Sequence, residues 1–315
     1  MRQGTACGVV IFSTPELSSC DNASLEKTMA PLPGTLYVVA TPIGNLEDIT
    51  LRALRILREA DVIAAEDTRH TGQLLRHFEI DKPLLSLHEH NERNRVARIA
   101  ELLEQGKNVA LVSDAGTPLI SDPGFPLVRE LRQRQLPVVP VPGPSSVLAA
   151  LSTSGLPTDR FVFEGFLPAK TAARQERLRS LAQEERTLIF FEASHRVTAM
   201  LADLAAVMGN ERPAVIAREL TKRFEEIHGA SLAELAQWLA ADPHRTKGEF
   251  VIVLQGAPTA TEADTPETRR LLTLLLTELP TSRAVVVVTK LTGLPKRTLY
   301  DLAIQLGGSV ANDNG

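Results

Sequence analysis

Short runs of apolar residues alternate with longer amphipathic segments along most of the chain. The apolar runs have the length of buried strands, and in the first half they predict strands at residues 36–40, 62–65, 84–87, 109–112 and 138–141. The segments between them carry apolar side chains at helical spacing and predict helices at residues 48–59, 71–78, 91–105, 125–135 and 145–153. Strands that alternate with helices in this way predict a parallel sheet that is covered by helices on both faces.

The alternation is interrupted around Gly155 and Pro157, and a second alternation follows. It predicts strands at residues 161–166, 187–191, 214–217 and 249–254, with helices near residues 171–183, 196–208 and 232–240. We therefore expect an α/β fold of two α/β domains, with residues 34–156 in the first and residues 157–257 in the second.

A polar segment at residues 257–266 separates the second domain from three short helical patterns. These patterns lie at residues 267–278, 283–291 and 296–305, and Gly293, Leu294 and Pro295 separate the last two. We expect a small C-terminal helical appendage over residues 266–308 that resembles a helix-turn-helix.

Composition changes this picture only in detail. A length of 315 residues is typical of about two domains. The net charge of -4 argues against a large nucleic-acid footprint, since nucleic-acid binders usually have a basic face, but it leaves room for a local one. Aromatic residues make up only 4% of the chain, so aliphatic side chains must fill most of the core.

The N-terminal residues 1–33 lie outside the alternation, and we expect a disordered extension there, or a start at Met29. Residues 17–20 resemble a lipoprotein cleavage site, but the preceding apolar run at residues 6–12 is short and is followed by polar residues, unlike a signal peptide. The two cysteines, Cys7 and Cys20, cannot form a disulfide framework in the body of the chain, which is typical of a reducing, cytoplasmic setting. No segment has the ~20 apolar residues of a membrane span.

Three turns rich in glycine and proline follow strands of the first domain, at residues 41–46, 113–124 and 140–146. Ligands of such sheets bind at the carboxyl ends of the strands, so these turns are expected to form a ligand site. The first turn has neither the G-x-G-x-x-G fingerprint nor a P-loop, and taken alone it could be an ordinary connection. The second is the most informative, because a twelve-residue segment is longer than a plain connection. In it Gly116 and Gly124 allow unusual backbone geometry, and Asp114 and Asp122 offer carboxylates, although Asp122 could equally cap a helix.

Polar clusters follow other strands. Residues 66–71 and 88–93 come after the second and third strands, and residues 191–196 and 218–222 lie in the second domain. The histidines of residues 88–93 could belong to a surface loop, and the cluster does not define a metal site. A serine hydrolase is excluded because the chain has no G-x-S-x-G elbow.

Taken in order, these segments resemble one family. They are TPIGNLEDIT (residues 41–50), EDTRHT (66–71), VSDAGTPLISDPG (112–124), VPGPSS (141–146), FFEASHR (190–196), RELT (218–221) and GEFVIVL (248–254). The set resembles the bacterial ribosomal RNA small subunit methyltransferase I family, which belongs to the tetrapyrrole-methylase-like class of S-adenosylmethionine enzymes. Residues 291–297, with Leu299 and Tyr300, also look like that family's tail. The chain departs from it in residues 1–33, in Ser194 where proline is expected, and in the β-branched residues 284–288.

The resemblance implies 2′-O-methylation of a cytidine ribose in 16S ribosomal RNA by a homodimer, without a metal. It also implies that S-adenosylmethionine binds in the cleft between the two domains. For the cofactor the resemblance and the turns assign Pro42, Ile43, Gly44, Asp114, Ala115, Gly116, Thr117, Ser145, Ser146, Phe191, Ala193 and Glu249.

The general base and the RNA contacts stay open at this point. Four side chains are candidates for the base: Glu66, Asp67, His88 and Glu219. Five cations are candidates for phosphate contacts, although each could be a solvated surface charge: Arg69, Arg93, Arg95, Lys222 and Arg223.

Two other functions compete with this one. A small-molecule methyltransferase of the same class would use the same pocket on a tetrapyrrole ring, whereas a non-catalytic ribosome-binding protein would need no cofactor pocket. Because the chain is acidic overall, we also expect the substrate to be the folded small ribosomal subunit, where shape supplements charge.

Overall fold

The computed structural model of the protein describes residues 32–88, 92–258 and 265–310. The expected N-terminal extension, the alternative start at Met29 and both cysteines therefore lie outside the described residues, except for Leu32 and Pro33 of the extension.

The first domain is a five-stranded parallel sheet with the strand order β3-β2-β4-β1-β5. Its elements are β1 (Leu36–Val39), α1 (Leu51–Glu59), β2 (Val62–Ala65), α2 (Thr68–His77), β3 (Leu84–Ser86), α3 (Glu92–Glu104), β4 (Val109–Val112), α4 (Phe125–Gln133), β5 (Val138–Val141) and α5 (Ser146–Thr153).

Helices cover both faces of this sheet, as predicted. On one face α3 and α4 supply Ile99, Leu103 and Leu127 to the core, and on the other α1 and α2 supply Leu57 and Leu75. All four residues of the central strand β4 are buried, which explains why β4 shows as a continuous apolar run in the sequence.

Two helices begin three residues away from their predicted starts, because capping side chains set those starts. The helix expected from residue 48 begins at Leu51, since the Thr50 side chain accepts a hydrogen bond from the Ala53 N–H and residues Leu46–Asp48 form a separate 3-10 turn. The helix expected from residue 71 begins at Thr68, since the Asp67 side chain caps it.

The second domain is a mixed five-stranded sheet with the order β6-β7-β10-β8-β9. Only β6 and β7 are parallel; the other neighbours are antiparallel. Its elements are β6 (Phe161–Phe166), α6 (Thr171–Leu181), β7 (Thr187–Ala193), α7 (Val197–Met208), β8 (Pro213–Arg218), β9 (Glu226–Ser231), α8 (Leu232–Ala240) and β10 (Glu249–Leu254). The strand β9 was not predicted.

The two faces of this second sheet have different partners. One face packs against α6, α7 and α8 around Phe190 and Leu204. The other face meets the first domain, where Val147 and Leu151 of α5 lie in one apolar cluster with Val251 of β10. This shared core fixes the two domains against each other and leaves a cleft at its edge.

The appendage contains three helices in the described residues: α9 (Pro266–Glu278), α10 (Thr281–Thr292) and α11 (Lys296–Val310). They share a small core of their own, with Leu272, Val285, Val288 and Leu299 buried. The β-branched residues 284–288 form a helix because this packing outweighs their weak helix propensity.

Candidate functional site

The three turns rich in glycine and proline meet at one edge of the first sheet, because β4, β1 and β5 are neighbours. Thr41 and Gly116 join two of the turns through a pair of backbone hydrogen bonds, N to O, of 2.9 and 3.0 Å. The Thr117 hydroxyl donates to the Pro144 carbonyl oxygen at 3.1 Å and joins the third turn. The turns therefore form one connected wall.

The backbone of residues 113–124 adopts four left-handed conformations. Gly116 and Gly124 have φ values of +83° and +124°, and Leu119 and Ser121 have φ values of +74° and +67°. Left-handed geometry at a residue other than glycine costs of order 1–3 kcal/mol and concentrates at ligand sites. Gly124 takes the capping position of α4, so Asp122 does not cap that helix.

The carboxylates of two aspartates in this loop, Asp114 and Asp122, interact with neighbouring groups. The Asp114 carboxylate accepts a hydrogen bond from the Asp67 N–H at 3.1 Å, which connects the loop after β4 to the end of β2. Asp122 is half-buried; burial raises the pKa of its carboxyl, the negative charge of Asp114 raises it further, and a hydrogen bond with Ser113 only partly offsets both.

A cavity of about 380 Å³, which we call the first cavity, lies between this wall and the second domain. This volume is within the range of small-molecule sites. It is lined by all the residues assigned to the cofactor except Pro42 and Gly44. Five acidic residues line it and no Lys, Arg or His does; the acids are Glu66, Asp114, Asp122, Glu192 and Glu249. Glu192 pairs with Arg196 and Glu249 with Lys222, each at 3.0 Å, and the first cavity keeps an excess of acidic groups.

A second cavity of about 440 Å³ adjoins the first. The two share a wall made by Ile43, Asp114, Ala115 and Glu249. Unlike the first, the second cavity has basic and amide side chains in its lining. These are His70, Gln73 and His77 of α2 and Lys222 of the second domain; Pro42 and Gly44 also line it.

The turn at residues 41–46 contacts the second domain closely. A methyl group on Gly44 would lie 2.4 Å from the Lys222 Cγ and 2.9 Å from the Thr221 Oγ1, so glycine is required for this approach. The Asn45 N–H donates to the Thr221 hydroxyl at 3.1 Å. The Lys222 ammonium in turn contacts Glu219 at 2.9 Å and Glu249 at 3.0 Å.

The charges of this contact shift each other's pKa. Partial burial pushes the pKa of Glu219 upward, but hydrogen bonds from Lys222 and from the Glu249 N–H outweigh burial and leave it below its usual value. Burial likewise pushes the pKa of Lys222 downward, and its two carboxylate partners raise it above its usual value overall. Both groups stay charged at neutral pH.

The four candidates for a general base separate in space. Glu66 lines the first cavity. Asp67 caps α2 and binds Arg69 at 2.8 Å, an interaction that holds the pKa of its carboxyl well below the usual range. Asp67, His88 and Glu219 line neither cavity.

The candidate phosphate contacts are also dispersed. Arg69 is exposed but bound to Asp67, and Lys222 is bound to two carboxylates. The Arg223 guanidinium lies 5.6 Å from the ring centre of the exposed Phe224. Arg95 is half-buried on α3, and the side chain of Arg93 lies outside the described residues.

Phe166 is a site residue that the sequence analysis missed. A β-bulge between Phe163 and Gly165 inserts one residue into β6, so Phe163 and Phe166 lie on the same face of the sheet. Both rings contact Phe191, with centres 4.9 and 5.5 Å away, and Phe166 stays 55% exposed in the first cavity. A glycine inside an apolar strand was the available signal, since it often marks a bulge.

Within the residues that the structure describes, no group of three or more His, Cys, Asp or Glu side chains is placed to hold a metal ion. In the same part of the chain, no helix has both the length and the apolar character needed to cross a membrane.

Comparison with known proteins places the chain among methyltransferases. Residues 35–236 match the family described as Tetrapyrrole (Corrin/Porphyrin) Methylases, and residues 262–307 match the RsmI C-terminal HTH domain. The chain is 54% identical to Ribosomal RNA small subunit methyltransferase I of Pseudomonas aeruginosa over 87% of this chain and 98% of the relative. It is 56% identical to the protein of the same name from Xylella fastidiosa, over 85% and 98%.

A solved structure shares the fold. Uroporphyrin-III C-methyl transferase from Thermus thermophilus, complexed with S-adenyl homocysteine, superimposes with a TM-score of 0.51 at 21% identity. The match covers 70% of this chain and 97% of that one.

Proposed function

Because the chain belongs to the tetrapyrrole (corrin/porphyrin) methylase family, and within it to the ribosomal RNA small subunit methyltransferase I family, we propose that it methylates the 2′-hydroxyl of a cytidine ribose in 16S ribosomal RNA. The methyl donor is S-adenosylmethionine, bound in the first cavity.

The acidic lining of the first cavity is the observation that carries the choice of donor. S-adenosylmethionine has a sulfonium and an ammonium group, so it presents two positive charges against one carboxylate. Two cations outside the lining, Arg196 and Lys222, pair with Glu192 and Glu249, and the five acidic residues still leave an excess of negative charge. This excess favours such a cation and disfavours a nucleotide phosphate. The left-handed backbone at Gly116 lets the loop approach a ligand without a side chain between them.

The appendage favours RNA over a tetrapyrrole. The match to the uroporphyrin enzyme spans 97% of that protein but only 70% of this chain, so part of this chain has no counterpart there. The match at residues 262–307 adds a helix-turn-helix domain, and the ribosomal RNA relatives are covered over nearly their whole length. A non-catalytic ribosome-binding protein, in turn, would not require an acidic cavity at the ends of β1, β4 and β5.

The reaction is an in-line displacement, in which alignment can supply ~7–11 kcal/mol in favourable cases. S-adenosylmethionine supplies a methyl group whose bond to sulfur breaks as the new bond to the ribose oxygen forms. We assign the proton of the ribose hydroxyl to Glu66, because the hydroxyl must reach the methyl group in the first cavity and Glu66 is the one of the four candidates that lines it. Such general-base catalysis contributes about 10²–10⁴-fold. The connected turns hold the donor in place, and the shared core around Val147 and Val251 fixes the opposite wall.

The proposal is tested by methyl transfer from labelled S-adenosylmethionine to small ribosomal subunits from a strain that lacks this gene, followed by nucleoside mass spectrometry. We expect labelled 2′-O-methylcytidine. No label in RNA, together with measured cofactor binding, would instead support the small-molecule reaction.

The same assay tests whether the substrate is the assembled small subunit and whether Glu66 is the general base. Since the chain carries a net charge of -4, we expect assembled subunits to be methylated faster than bare transcript, and equal rates would contradict this. Glu66→Gln should lower kcat by about 10²–10⁴-fold. A homodimer and a cytoplasmic location are part of the proposal; sedimentation and cell fractionation test them.

A further inference from the structure

We propose that the second cavity receives the acceptor nucleotide, and that one face of α2, formed by His70, Gln73 and His77, contacts it. The inference rests on the proposed function, because it assigns the place of the RNA in the same reaction. None of these three side chains was assigned a role above.

The shared wall is the first argument. An in-line transfer requires the donor and the acceptor to lie in adjoining pockets that meet at the reacting atoms. The two cavities meet at Ile43, Asp114, Ala115 and Glu249. A donor in the first cavity therefore has one neighbouring space of nucleotide size, about 440 Å³, beside it.

The geometry of α2 is the second argument. His70, Gln73 and His77 are three and four positions apart, so they lie on one face of the helix. The opposite face is fixed in the core, where Thr71 and Leu75 are 2% and 3% exposed. The three side chains are therefore presented to the cavity from a rigid element.

The chemistry of the lining is the third argument. Imidazole and amide groups donate and accept hydrogen bonds, as the edge of a pyrimidine base and a ribose require. The second cavity also contains Lys222, whereas no basic residue lines the first. A cationic donor is thus favoured in the first cavity, and the neutral base and ribose of a nucleotide are favoured in the second.

The same lining disfavours an acid-rich tetrapyrrole. A ring that carries several carboxylates needs several cations, but the only Lys or Arg in this lining is Lys222, which is already bound to Glu219 and Glu249. A single nucleotide that is unstacked from its neighbours places a neutral base in this space, as enzymes that modify nucleotides commonly arrange.

The test compares the double variant Gln73→Ala/His77→Ala with Arg76→Ala. Arg76 is exposed on the same helix but does not line either cavity, which makes it a matched control. Alanine is the best helix former, so both variants keep α2. Steady-state kinetics with small ribosomal subunits give kcat/KM for RNA, and equilibrium dialysis gives the Kd of S-adenosylmethionine.

We expect the double variant to lose about tenfold or more in kcat/KM for RNA, with an unchanged Kd for S-adenosylmethionine, while Arg76→Ala matches the wild type. Unchanged RNA kinetics in the double variant would overturn the inference, and so would a rise in its Kd for the cofactor, which would assign the second cavity to the donor.

A second readout separates this inference from the proposed function. The imidazole NMR signals of His70 and His77 are followed as cytidine 5′-monophosphate is added to protein saturated with S-adenosylhomocysteine. Shifts of both signals support the site even if the wild type methylates no RNA, an outcome that would overturn the proposed function alone. If either signal fails to move, the nucleotide site as proposed is overturned.

Discussion

Replacing Gly44 by alanine tests the contact that joins the turn at residues 41–46 to the second domain. The added methyl carbon would lie 2.4 Å from the Lys222 Cγ and 3.1 Å from the Leu220 carbonyl oxygen. Carbon atoms in contact are normally about 3.5–4.0 Å apart, so the lysine stem must move by about 1 Å or more. That movement also lengthens the contacts of Lys222 with Glu219 and Glu249.

The cost can be bounded from known effects. Overpacking of a close contact costs about 1–3 kcal/mol, and the partly exposed ion pairs add no more than about 1 kcal/mol. Since Glu249 lines both cavities, we expect this strain to open the cleft and raise the Kd of S-adenosylhomocysteine about 5–150-fold. Isothermal titration calorimetry measures this Kd directly.

Two controls show where the strain arises. In Gly72→Ala the new methyl group would lie 3.5 Å from the Arg76 side chain of α2 and 3.7 Å from the Leu84 side chain of β3, which are ordinary contact distances. This variant should therefore keep its Kd and gain about 0.5–1 kcal/mol in stability. In a Lys222→Ala background, Gly44→Ala should cost less, because the nearest clash has been removed. A Kd in Gly44→Ala equal to that of the wild type would refute the reasoning, and full additivity with Lys222→Ala would show that the lysine is not involved.

Three further predictions follow from charged groups. Asp114→Ala should raise the Kd of S-adenosylmethionine tenfold or more in dialysis, because it removes a carboxylate from the wall between the cavities. This is a loss of about 1.4 kcal/mol or more of binding free energy, and an unchanged Kd would contradict the site. Arg174→Ala should destabilise the protein by about 3–5 kcal/mol in urea unfolding and leave the cofactor Kd unchanged, since it leaves the buried Asp203 without its 2.6 Å partner. Because the pKa of Glu219 is lowered in the folded protein, Glu219 contributes stability above the ordinary glutamate pKa of about 4.3, and this contribution is lost as pH falls through the lowered pKa. The raised pKa of Lys222 contributes stability that is lost only as pH rises through that pKa. The stability difference between wild type and Glu219→Gln should therefore be constant at neutral pH and vanish in acid.

The first domain could be predicted closely from the sequence, because a parallel sheet buried on both faces makes its strands continuous apolar runs. The strand β9 was not predicted from the sequence, for the opposite reason. Its residues Glu226–Ser231 pair with β8 only, at the edge of the sheet, and they are mostly polar or small and partly exposed. Such a strand is stabilised by its partner's backbone and leaves little apolar pattern to detect.

The candidate site, too, could be predicted from the sequence only in part. The turn at residues 113–124 stood out in the sequence because its length and its glycines are local properties. The orientation of Phe166 depends on a bulge, which reverses the expected face of a single side chain. The choice among Glu66, Asp67 and Glu219 depends on which of these carboxylates lines the first cavity, and that becomes visible only in the folded structure.

The strand order of the first sheet has a consequence for the time course of synthesis. Among the described strands β1 leaves the ribosome first, but both of its neighbours, β4 and β5, come later in the chain. Val109 follows Val39 by 70 positions, which at about 5–20 residues per second corresponds to roughly 4–14 s of translation. During that interval β1 has no partner strand, and a nascent chain arrested before β4 contains β1 and the β2–β3 pair as two unjoined pieces.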